Sequence, residues 1–432
     1  MCTSTYATEE TKILGDTGEN VIVRDIGGDN NIICYKSGDC SYFTLVSGGV
    51  TSTYKITLSR FTINDFEVNN DTMVYFCGER IGNLGAVPVM GYFSITPFPY
   101  STVYYIDMPW LSNLKKLEVD DIAGNTHVVM VGQNTTGYST LVDAIDQSSI
   151  WSINYSVNST KNEIFYDVAI TENYVYFTSI KTTIVTGKGK IWTIQKPIFS
   201  NTSIFSSSVE ECRPVFDNIL APFLIEGCRD DFAVAAAQPG SFMIDNKSHI
   251  LLIPHCKTTL LPEIIDITAD SVSKCKLIDL KFYPTGITTD LLVQSKNING
   301  TLSSIIYRVT NTIYFNYLIS GHKFDGITLT SLDCKKDQYY HYVAAGFTNT
   351  GSNIQLTKYR TTSYPMACTG RAYDSVFVKD TVIRGKKTTL LYETILQAPL
   401  TLSGGEKNLT ITTTCGPASR RDEDDDEFKE NK

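Results

Sequence analysis

No run of eighteen apolar residues occurs in this chain, which leaves it without a candidate transmembrane helix. Helix-period patterning is nearly absent as well, so helical bundles and α/β folds are excluded as architectures. Histidine is scarce: the five, His127, His249, His255, His322 and His341, form no H-E-x-x-H pair or other two-ligand spacing, which argues against a zinc site. Basic residues do not cluster, and 37 Lys and Arg stand against 46 Asp and Glu; a surface that neutralises phosphates is excluded, and nucleic acid with it. G-x-S-x-G, P-loop and dinucleotide fingerprints are missing. So are the sialidase Ser-x-Asp-x-Gly-x-x-Trp turn, the Trp-Asp dipeptide and the paired glycines of kelch repeats.

What the chain does contain is strand-forming sequence. Tyr (25) and Phe (20) are abundant, with Thr, Ile and Val spread throughout, a composition suited to strands that pack on both faces. From Asp65 the sequence DFEVNNDTMVYFCGERIGNLGAVPVMGYFSI reads as three strands, Phe66–Val68, Met73–Cys77 ending at Gly78, and Gly91–Ile95, joined by Asn/Asp and Gly turns. The pattern recurs at about fifty-residue intervals. Leu117–Val119, Val128–Val131 before Gly132, and Ile150–Ile153 form one copy, and Tyr166–Val168, Tyr174–Phe177 and Lys190–Ile194 the next. Later copies run from Leu277 and from Ile327, the last with Tyr342–Ala345 stopping at Gly346. Between them, Phe199–Cys228 reads as a long loop.

This periodicity predicts an all-β fold, a β-propeller of seven four-stranded blades, with six or eight as the alternatives. The domain spans residues 16–416, after a linker-like residue 1–15 segment and before an acidic, disordered tail at 417–432. Strands expected at Ser375–Lys379, Thr388–Leu396 and Leu409–Thr414 complete or flank the first blade, closing the ring. Trp151 and Trp192 fall at equivalent points of consecutive repeats and are expected in the core.

Eleven cysteines without metal-type spacing point to an oxidising compartment, with buried free thiols as the alternative. Short separations nominate Cys34 with Cys40, Cys212 with Cys228, Cys256 with Cys275, and Cys334 with Cys368, leaving Cys77 and Cys415. Cys2, directly after Met1, fits a lipid-anchored mature terminus or an arbitrary start.

The apolar-acidic-apolar strand, Asn/Asp turn, VYFCG strand and GYFSI strand together resemble the β-propeller repeats of secreted proteins of gut Bacteroidales. That resemblance, over roughly residues 16–370, implies an exported propeller that is secreted, periplasmic or on the cell surface, and it implies no particular activity.

Two sets of residues are candidates for function. Acids on the first strands, Asp25, Glu67, Glu118, Asp167 and Asp279, would line the channel of a propeller. Such a ring suits a hard cation such as calcium, or the hydroxyls of a sugar. Alternatively each carboxylate accepts backbone hydrogen bonds and locks neighbouring blades together. Tyrosines in connections, Tyr100, Tyr104 and Tyr340, offer flat faces for sugars or a protein partner. The expectation is a non-enzymatic binding or scaffold module for a glycan or an exported protein, the alternative being a glycan-cleaving enzyme that uses channel carboxylates.

Overall fold

The computed structural model describes residues 8–415, apart from 28–29, 48–51, 97–101, 123, 149, 157–162, 182–187, 197–203, 215–219, 230–231, 240–246, 255–262, 269–271, 284–287, 298–301, 312–316, 335–340, 361–369, 374–376, 381–382 and 404. Among the described residues every regular element is a strand. After β1 (Thr8–Thr17) the chain lays down antiparallel meanders. The first is β2 (Glu19–Gly27), β3 (Asn30–Ser37), β4 (Cys40–Val46) and β5 (Ser52–Ser59), and the second β6 (Phe61–Asn69), β7 (Met73–Gly82), β8 (Gly85–Ser94) and β9 (Thr102–Asp107). Next come β10 (Leu111–Ile122), β11 (Asn125–Asn134), β12 (Ser139–Asp146) and β13 (Trp151–Ser156), then β14 (Glu163–Ile170), β15 (Tyr174–Lys181), β16 (Lys188–Gln195) and β17 (Ile204–Pro214). They are followed by β18 (Leu220–Arg229), β19 (Phe232–Pro239), β20 (Lys247–Pro254) and β21 (Glu263–Thr268), and by β22 (Val272–Tyr283), β23 (Thr288–Asn297), β24 (Leu302–Asn311) and β25 (Tyr317–Asp325). The last meander has β26 (Ile327–Asp333), β27 (His341–Thr348) and β28 (Asn353–Arg360).

Six small sheets stand in a ring, the arrangement of a β-propeller. The expected seven separate blades are not what the ladders form. The β10–β13 and β14–β17 meanders share one nine-stranded sheet, and a second nine-stranded ladder joins β2–β5 to β26–β28. Both fusions are made by strands from the ends of the chain.

Those end strands form a belt. Beyond β28, strand β29 (Gly370–Tyr373) pairs with β25, and β30 (Phe377–Asp380) with β21. The long β31 (Ile383–Gln397) lies between β17 and β13, β32 (Leu400–Ser403) pairs with β9, and β33 (Gly405–Cys415) lies between β5 and β1. The segment therefore travels back around the ring and covers one outer edge after another, where an open row of N–H and C=O groups would invite pairing with another chain. Only β33 does what the sequence reading assigned to all the C-terminal strands. The other departures are at β1, which begins at Thr8 within the expected linker, and at β17 and β18, which occupy the expected long loop. β1 carries little apolar pattern, and its place comes from ladders on both sides, to β28 and β33.

Strands bury both faces because sheets pack on both sides. On β7, Val74 and Phe76 join Phe43, Phe66 and Phe93 between two sheets, while Tyr75 and Cys77 face Met90, Met130 and Trp151 on the other side. Trp151 and Trp192 are core residues, 1% and 3% exposed.

The glycines expected to end second strands are instead interior to them. β7, β11 and β27 run through Gly78, Gly132 and Gly346. Each faces a one-residue bulge in the preceding first strand, where register shifts between Ile63 and Asp65, Leu114 and Lys116, and Leu329 and Ser331. A Cβ at these glycines would lie 2.1 Å from the Thr62 carbonyl oxygen, 2.2 Å from that of Asn113 and 2.0 Å from that of Thr328. The glycine makes room for the bulge, and the bulge re-aims the side chains that follow it.

Candidate functional site

Strands β2, β6, β10, β14, β18, β22 and β26 form the inner wall, each packed on the next in that order and β26 back on β2. All carry a bulge. Beyond it, alternation sends every second side chain toward the axis and buries those between. The buried set is Val23, Phe66, Leu117, Val168, Ile225, Leu280 and Leu332. The axial residues fall into two tiers.

The first tier ties the sheets together. Asp65 accepts the Leu117 N–H at 3.3 Å, Asp167 that of Ile225 at 2.9 Å, Asp279 that of Leu332 at 2.8 Å, and Ser331 Oγ that of Val23 at 3.2 Å. Each bond runs from one inner strand to the next, so Asp167 and Asp279 act as the locks that the alternative reading of the acids described. Lys116, in the same tier, lies 3.7 Å from Asp65.

The second tier, two residues further along, is a mixed-charge plug. Arg24 Nε donates to Glu67 at 2.5 Å, and its Nη2 donates back to Asp65 at 2.9 Å. Lys281, 8% exposed, stands 3.7 Å from Glu226, 3.7 Å from Asp333 and 3.9 Å from Glu67. These partners belong to three different inner strands, so the ammonium spans the channel. The centre that a ring of acids would offer to calcium is held by the protein's own cations, and among the described residues no group of three His, Cys, Asp or Glu has metal-binding geometry.

Burial dominates the electrostatics. It pushes Glu118 well above the usual carboxylate range, reinforced by Glu67 and Glu226. Glu226 rises to about 7 and Asp167 to about 6, in both cases chiefly by burial. Burial also raises Glu67 against the pull of Arg24 and Lys281, and Asp333 against Lys281 and Arg24. For Lys281 burial acts downward, but Glu226 and Glu67 outweigh it, and the ammonium is held charged.

The five acids grouped by sequence therefore have three different settings. Glu67 and Glu118 sit in the plug, Asp167 and Asp279 in the locks, and Asp25 just past the plug, accepting the Gly27 N–H at 2.8 Å while its own N–H donates to Asp333 at 2.7 Å. Sequence reading missed Arg24, Asp65, Glu226, Lys281 and Asp333. Counting two residues back or forward from each named acid finds Asp65 and Lys281, because tier partners on a strand are two apart.

Tyr104 lies away from the axis, stacked on Tyr92 at 5.1 Å, which in turn packs 5.4 Å from Trp151. It is half-buried packing. Tyr100, Tyr340 and Cys2 lie outside the described residues.

Cys34 and Cys40 are not bonded to each other; both are free, as is Cys77. Cys34 faces the Phe43 and Phe66 core, whereas Cys40 bonds the side chain of Tyr42, which packs in the core on the opposite face of the sheet. A bridge between them would have to cross the sheet. The expected partner of Cys334, Cys368, lies outside the described residues. Cys256 is also outside them, and the side chains of Cys212, Cys228, Cys275 and Cys415 are not described.

At the bulged ends of the inner strands a cavity of about 260 Å³ opens on the axis, above the first tier. Its polar lining is Asn20, Asn64, Lys116, Asp279, Thr330 and Ser331, drawn from β2, β6, β10, β22 and β26. Of the candidate acids only Asp279 reaches it.

Neither a protein-family model nor a curated protein matches this chain.

Proposed function

We propose that this protein is an exported, non-enzymatic β-propeller that binds a glycan in the axial cavity at one face of the ring. The observation that carries this reading is the composition of the cavity wall. Amide, hydroxyl, ammonium and carboxylate groups from five inner strands converge on one concave site, the mixture of donors and acceptors that sugar hydroxyls need. An exported protein partner on the same face is the second occupant of this reading.

Glycan cleavage is the competing reading. It is favoured by Glu118 and Glu226, which burial pushes up toward the protonated form a general acid needs. Against it, both belong to the tier plugged by Lys281 and Arg24, while Asp279 alone of the candidate acids lines the cavity.

Export rests on the repeat resemblance, since free Cys34 and Cys40 remove one disulfide argument for it. Attachment through Cys2 belongs to the same proposal, and the mass of the native protein tests it: an unmodified Cys2 ends it.

A glycan-array screen of the purified protein, with and without calcium, tests the function. A specific, saturable hit that is indifferent to calcium is expected. Absence of any hit would contradict the glycan reading and direct cross-linking to a protein partner.

A further inference from the structure

Resting on the glycan reading, we infer that the axial cavity is a blind socket for the terminal sugar unit of a glycan chain, entered end-on, and that the unit it holds is uncharged. Three features lead there. At about 260 Å³ the cavity lies below the ~300–1,000 Å³ range of sites that enclose drug-sized ligands, so it admits about one sugar ring.

The second feature is the floor. The strands that supply Asp279 and Ser331 to the cavity supply Lys281 and Asp333 two residues later, roughly 6–7 Å deeper at the rise of a strand. There Lys281 reaches Glu67, Glu226 and Asp333 across the channel, and Arg24 reaches Glu67. A chain cannot thread through that layer, so only an end can enter.

The third feature is the chemistry of the wall. Asn64 Nδ2 is committed to the Leu114 carbonyl at 2.6 Å and Thr330 Oγ1 to that of Val21 at 2.6 Å, so the Asn64 side-chain oxygen is left to accept. Lys116 has three N–H donors and, among the described residues, one carboxylate within 4 Å, Asp65 at 3.7 Å, so it has protons to give. Its charge is offset by Asp65 and by Asp279 in the same wall, which disfavours an acidic sugar. Val21, Ile22, Ile63 and Ile278 complete the lining and suit the C–H face of a ring.

The test compares oligosaccharides that share an array-positive end with the same chains trimmed by one terminal unit, and adds free D-glucose, D-galactose, D-mannose and N-acetyl-D-glucosamine as competitors. Trimming should weaken binding at least tenfold, and the matching monosaccharide alone should compete. Lys116→Met should also weaken binding at least tenfold. Asp279→Asn, which keeps the acceptor for Leu332, serves as a second variant, expected to fold and to bind more weakly. Saturable binding that survives trimming and is not displaced by any of the monosaccharides would overturn the socket while leaving the glycan reading standing; no glycan binding at all would overturn both.

Discussion

Asp279 on β22 accepts the backbone N–H of Leu332 on β26 at 2.8 Å, and the same carboxylate takes the Ser331 hydroxyl at 3.3 Å. The side chain stands in for a ladder hydrogen bond at a junction where two sheets meet without one. Asp279→Ala would leave a buried N–H unsatisfied, a loss of about 1–3 kcal/mol, whereas Asp279→Asn keeps an acceptor and should lose less. Urea denaturation of the two variants measures the difference; equal losses would contradict a lock.

Stability should depend on pH with an unusual sign. Glu226 and Asp167 are raised to about 7 and about 6, and Glu118, Glu67 and Asp333 are raised as well. The folded state therefore holds these protons more tightly than the unfolded chain does. Their contribution is complete below the ordinary carboxylate pKa of about 4 and is lost as pH rises through about 6 to 7. Asp16 acts oppositely: hydrogen bonds from Lys55 and Tyr35 outweigh the upward push of burial, so its share disappears as pH falls through the acid range below about 4. Thermal melts should show Tm falling from pH 5 to pH 8, and Glu118→Gln should flatten that slope. A Tm that climbs over the same range would contradict the raised carboxylates.

Gly78 is required by the bulge opposite it. Gly78→Ala would place a Cβ 2.1 Å from the Thr62 carbonyl oxygen and should destabilise by about 3 kcal/mol, the upper end for overpacking. Gly137→Ala serves as the control: φ is +82° with open space around it, so only left-handed strain of about 1–2 kcal/mol applies. Similar losses at the two positions would show that the bulge can relax.

Removing the belt should expose sheet edges. A chain ending at residue 369 lacks the partners of β25, β21, β17, β13, β9 and β5, and should self-associate through those edges. Light scattering would show aggregates where the full chain is disperse. A monodisperse, folded truncation would mean the edges are protected without the belt.

The strands were legible because alternation and aromatic content survive in each repeat: VYFCG and its relatives lie in second strands, and Glu67, Glu118, Asp167 and Asp279 do lie on the inner ones. Their grouping into one ring was not legible. A one-residue bulge changes which neighbour faces the axis, so Asp167 aligns with Asp65 and not with Glu67. Arg24 and Lys281 escaped because a search for repeated acids passes over the cations that neutralise them. The belt escaped for another reason: its place is set by ladders to seven distant strands, and nothing local to Ile383–Gln397 encodes which edges it covers.

The central claim is that the channel is closed by its own charges, with Lys281 as the keystone, and a double-mutant cycle on Lys281 and Glu226, 3.7 Å apart, tests it most directly. Lys281→Met alone should cost about 3–5 kcal/mol by leaving buried carboxylates unpaired, and in a Glu226→Gln background it should cost at least about 1 kcal/mol less. Losses that add to within about 0.5 kcal/mol would contradict the plug and reopen the channel as a site for an external cation.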